Sequence, residues 1–78
     1  MTIGERVRER SERVWSEARE AAVLNRAWCL READRYAQAA REVQQGGEYM
    51  DVSDSERLEW GAAYCEAGAY WASRALEI

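Results

Sequence analysis

Residues 5–45, ERVRERSERVWSEAREAAVLNRAWCLREADRYAQAAREVQQ, contain neither glycine nor proline and run into Gly46-Gly47. Ala, Arg and Glu, all strong helix formers, fill most of the stretch. Oppositely charged side chains recur at helical spacing, as in Glu9–Arg13 and Arg13–Glu17, and each such pair adds ~0.2–0.5 kcal/mol to a helix. Wound as a helix, one face collects Ile3, Val7, Val14, Ala18, Ala21, Ala22, Cys29, Ala33, Tyr36, Ala40 and Val43, widened by Trp15, Trp28, Ala37 and Ala39. The opposite face holds Arg6, Arg13, Glu17, Arg31, Arg35 and Glu42. This periodicity predicts one long amphipathic helix over 5–45. Asn25 falls near the middle of the apolar face, where it either fixes the register of a partner helix or marks a local break.

Downstream, Gly46-Gly47 supplies the left-handed backbone that commonly ends a helix. After a short connection, Ser53-Asp54-Ser55-Glu56 has the form of a capping box, with Ser53 placed to accept the Glu56 amide. A second helix is therefore expected over 54–77. It carries two apolar surfaces. One is small: Gly61, Cys65, Gly68, Ala72 and Ala75, edged by Leu58, Ala62, Ala69 and Leu76. The other is large and aromatic: Trp60, Tyr64, Ala67 and Trp71. The small surface is expected to meet the first helix, because glycine inside a helix costs ~0.5–1 kcal/mol and commonly marks close backbone approach.

The fold class is thus all-α, a helical hairpin in a single domain over 1–78. At ~1.5 Å per residue the first helix would reach ~60 Å and the second ~36 Å. That leaves the start of the long helix, including Val7, Val14 and Trp15, without intrachain cover. Two copies paired as an antiparallel four-helix bundle would supply the cover. Val7, Val14, Trp15, Trp28, Trp60, Tyr64 and Trp71 are the candidate self-association residues, since Trp and Tyr are enriched at interface hot spots. The alternative is a monomeric three-helix bundle, with the first helix broken near Asn25.

Composition narrows the function. Among 78 residues there is no histidine, so the usual general base near neutral pH is missing and no metal-ligand spacing is present. No enzyme activity, metal or cofactor is expected. Cys29 and Cys65 are the only cysteines. Both fall on apolar faces, about five residues out of register in the hairpin, so two small buried thiols are expected rather than a disulfide. No apolar run approaches the ~20 residues that span a bilayer, which predicts a cytoplasmic protein without a membrane partner. All eleven basic residues are arginine, yet they alternate with acids, and the net charge is −4, so direct nucleic-acid binding is not expected.

The hairpin outline and the Trp60-Gly61 pair resemble the small helical-hairpin proteins of type VII secretion. That family carries Trp-x-Gly in its turn, whereas here the pair is contiguous and inside the second helix, so none of the family's function follows. Two functional readings remain. The leading one is a non-enzymatic protein–protein interaction module, a small adaptor or inhibitor that pairs with itself and binds an unidentified protein. The other is an acidic inhibitor of the phage or mobile-element kind, imitating nucleic acid to block a DNA- or RNA-binding protein. Glu48, Tyr49, Met50, Asp51, Asp54, Glu56 and Glu59 would form its partner-binding turn.

Overall fold

A computed structural model of the chain describes residues 2–45 and 52–78. Among them are three helices: α1 (Ile3–Glu20), α2 (Arg26–Gln45) and α3 (Asp54–Leu76). The described residues are otherwise without regular structure, so the all-α class stands. The single long helix over 5–45 does not form. Its span is split at 21–25, and the molecule measures 39 × 24 × 17 Å, too short for a ~60 Å rod.

The split has a local cause. Ala22 takes a left-handed backbone at φ 58°. Around it the Ala22 amide donates to the Arg19 carbonyl at 3.2 Å and the Val23 amide to the Ala18 carbonyl at 3.1 Å. These two bonds are those of a Schellman motif, which satisfies carbonyls that the end of a helix would leave unpaired. Three residues on, the Asn25 side-chain oxygen accepts the Trp28 amide at 2.8 Å and so caps the start of α2. Asn25 therefore marks a break, not a register point.

The other ends are conventional. Thr2 accepts the Glu5 amide at 3.1 Å, starting α1 at Ile3. Ser53 accepts the Glu56 amide at 3.2 Å, and Asp54 and Glu56 sit in the first turn of α3, where the positive end of the helix dipole favours them.

The helices run up, down, up. Antiparallel α2 and α3 form the main pair, and α1 lies parallel to α3 and packs chiefly on it. Two core clusters follow along α3. Near its start Val7 meets Ala63 and Ala67, with Ile3, Tyr36, Trp60 and Tyr64 around them. Near its end Cys29, Trp71 and Ala75 pack with Val14, Trp15, Leu24 and Trp28. The break at 21–25 is what lets α1 turn back over α3, so Val7, Val14 and Trp15 find cover inside their own chain.

Candidate interaction surface

Trp71 organises the inner side of α3. Its side chain is fully buried, with Trp28 edge-on at 5.4 Å, Tyr70 edge-on at 5.2 Å and Trp15 tilted at 6.2 Å between ring centroids. Such ring pairs add ~0.5–1.5 kcal/mol each beyond the area they bury. Arg74 lies 4.6 Å above the Trp15 ring and 5.1 Å from the Tyr70 ring centre, and pairs with Glu77 at 3.0 Å. A second aromatic group joins Trp60 to Tyr64 at 5.5 Å and Tyr36 to Tyr64 at 6.0 Å.

These contacts correct the expected arrangement. The aromatic side of α3 meets α1 and α2, while most of the small side is turned outward. Trp71 is core, with no surface left to offer a second chain, and Val7 is buried against Ala63 and Ala67. Val14, Trp15, Trp28, Trp60 and Tyr64 are half-buried in the same intrachain clusters. The sequence mispositioned the first helix because a helical wheel of α3 shows two apolar sides and does not say which one a neighbour takes.

One close approach came as expected. A Cβ added at Gly68 would stand 3.5 Å from the Ala33 carbonyl oxygen and 3.9 Å from the Ala37 nitrogen, so α2 passes directly beside this residue. Gly61 has open space at the same position.

Between α1 and α3, Gly4, Val7, Ser11, Ala67 and Tyr70 line a cavity of about 90 Å³. Ser11 is buried there with no hydrogen-bond partner for its hydroxyl among the described residues. At the rim Arg8 forms an ion pair with Glu66. The hydrogen bond to Glu66, then its charge, holds the Arg8 guanidinium still more firmly protonated. Both partners are more than half exposed, so the pair fixes α1 on α3 more than it stabilises the fold.

The cysteines separate. Cys29 is fully buried, and that burial pushes its thiol up from its ordinary value, as does the nearby Glu32 carboxylate to a lesser degree. Cys65 is exposed rather than buried, and neither thiol is bonded. Of the expected acidic turn, Glu48, Tyr49, Met50 and Asp51 lie outside the described residues. Asp54, Glu56 and Glu59 are exposed at the start of α3, with Asp54 3.9 Å from Arg57.

The outer side of α3 carries what sequence reasoning missed. Leu58, Ala62, Cys65, Ala69, Ala72 and Leu76 are all exposed. They follow one another at spacings of four, three, four, three and four, the interval of a coiled-coil seam. Leu58 is 76% and Leu76 83% exposed, near the values of a side chain standing free in water. Beside this stripe runs α2, and Asp34, Ala37, Arg41 and Gln44 share a shallow groove with Cys65, Gly68, Ala69 and Ala72. The spacing was the available signal; its two leucines read as the edge of a packed face.

Comparisons with family models, with curated proteins and with solved structures each return no match. The surface itself is apolar and shallow, bordered on the α2 side by Asp34 and Arg41 and on the other by exposed Glu59 and Glu66. Among the described residues no group of His, Cys, Asp and Glu is disposed to hold a metal ion, and no helix is long and apolar enough to cross a membrane.

Proposed function

We propose that the chain is a non-enzymatic protein-interaction module, a small adaptor or inhibitor, and that it binds through the outer face of the α2–α3 hairpin. The observation that carries this reading is the seam from Leu58 to Leu76, exposed along its whole length on a helix whose other side is already packed. Exposed leucines scattered singly are ordinary, but a continuous apolar stripe at seam spacing is how a helix presents itself to another helix. The reading draws as well on a sequence without histidine, which lacks the commonest acid–base catalyst.

The test is a matched pair of capture experiments in the native host, using the full chain and an Ala69→Glu variant. Ala69 is exposed, so a glutamate there leaves the monomer folded while placing a charge in the seam. Proteins retained by the native chain and lost by the variant support the reading. Identical capture by both, with circular dichroism showing both folded, refutes it.

A further inference from the structure

We propose that the occupant of this outer face is a second copy of the chain, stacked antiparallel so that α3 lies on α3 and α2 lies on α2. The inference rests on the reading of the α2–α3 face as the binding surface and names what covers it.

The seam is close to a palindrome in side-chain size. It carries a leucine at each end, Leu58 and Leu76, and only alanine and cysteine between them, with its midpoint at Ala67. Laid antiparallel on itself, each Leu58 meets Leu76 of the second copy, and small residues face small residues. The helices then approach closely along the middle while the leucines close the two ends. A surface complementary to itself in this way is what a two-fold interface requires.

The charges on α2 are arranged about the same midpoint. Asp34 and Arg41 stand one heptad apart on the face that borders the groove, on either side of Ala37. The contact of Gly68 with the Ala33–Ala37 backbone sets Ala37 level with the centre of the α3 seam. A two-fold axis at that level reverses the order of the charges. Asp34 of each copy is brought to Arg41 of the other, twice over. Among the described residues neither side chain is paired: both are exposed, and the ion pairs there involve other groups. Turning the second copy so that α3 lies on α2 takes Asp34 of each copy away from Arg41 of the other. The Asp34–Arg41 pairing therefore favours one stacking over the other.

Sedimentation equilibrium of the full chain is expected to give the dimer mass in the micromolar range. Asp34→Arg alone and Arg41→Asp alone each set like charges opposite one another twice per dimer, and are expected to weaken association about tenfold or more. The two changes combined restore opposite charges across the interface and are expected to return the affinity to within roughly threefold of native. Maleimide labelling provides an independent reading. In this stacking Cys65 lies two residues from the centre of the seam and is covered by the other copy, so the dimer should protect a thiol that the dissociated chain leaves exposed, while buried Cys29 stays unmodified in both.

A monomeric mass at the highest attainable concentration overturns the proposal, as does failure of the combined variant to regain what folded single variants lose. A native dimer in which Cys65 is labelled as fast as in the dissociated chain overturns the stacking. The two levels of inference separate cleanly. A monomer whose capture of another protein is abolished by Ala69→Glu leaves the binding face standing with a different occupant. A monomer with capture unaffected by Ala69→Glu removes both.

Discussion

On its inner side α3 presents Ala63, Ala67, Trp71 and Ala75, and all four are buried; on its outer side it presents Leu58, Ala62, Cys65, Ala69, Ala72 and Leu76, and all six are exposed. Both sides are apolar, and among the described residues α1 is the one further helix available to cover either. Magnitude decides between them. A tryptophan or tyrosine carries ~150–250 Å² of buriable surface, and apolar burial is worth about 25 cal/mol per Å². Covering the inner side hides Trp71 and much of Trp60, Tyr64 and Tyr70, and it also hides Trp15 of α1 itself. Covering the outer side would hide two leucines and a row of alanines. Helix α1 goes to the aromatics, and the two leucines stay exposed.

The sharpest way to break this contrast is at Trp71. Truncation to alanine removes the ring that Trp15, Trp28 and Tyr70 surround, and large-to-small changes of this kind cost ~3–5 kcal/mol. A single core in a domain of this size supplies ~3–5 kcal/mol in total. The Trp71→Ala variant is therefore expected to lose its cooperative melt, followed by far-ultraviolet circular dichroism. A native-like melt would mean that the inner side is not where the stability resides.

The loop between α1 and α2 comes next, because α1 reaches the inner side only by turning there. Asn25→Ala deletes the acceptor for the Trp28 amide and is expected to cost ~1 kcal/mol, read as a lower midpoint in denaturant. Ala22→Gly should act in the opposite direction. A left-handed backbone costs an L-residue roughly 1–2 kcal/mol, and glycine removes the penalty. Glycine's extra freedom in the unfolded chain takes back part of that, so a gain of about 0.5–1 kcal/mol is expected. The opposite signs, a loss with Ala22→Gly and a gain with Asn25→Ala, are what a continuous helix would give and would favour it over the turned one.

That loop also shows what the sequence made legible. The start of α3 was readable because Ser53 and Glu56 sit where a cap needs them, and the Ser53 hydroxyl accepts the Glu56 amide as anticipated. The break was hidden because alanine, the best helix former, occupies the left-handed position usually given to glycine. Asn25 was visible as an anomaly on an apolar face, but periodicity continued through it: Cys29, Tyr36 and Val43 keep the phase of Val7 and Val14, so a turned chain and a straight one have the same pattern. Trp71, expected at a self-association surface, lies instead in the core for a related reason. Aromatic side chains mark hot spots and cores alike, and only the direction taken by α1 decided that Trp71 belongs to the core. Asp34 and Arg41 carried no signal until α2 and α3 were placed side by side.

The smallest effect is expected at Leu58, and its smallness is the point. A leucine in a core costs ~2–5 kcal/mol when its side chain is lost. Leu58 is three-quarters exposed, so Leu58→Gln exchanges one solvated side chain for another. At concentrations where the chain is monomeric, its stability should stay within ~0.5 kcal/mol of native. The comparison sharpens when the same two proteins are melted again at high concentration. Anything bound only to the folded chain adds stability by mass action, so the native midpoint should rise with concentration. The Leu58→Gln midpoint should rise less, since the variant has lost a seam residue without losing a core one. A leucine whose removal costs the isolated chain nothing, and costs the concentrated chain something, belongs to an interface rather than to the fold.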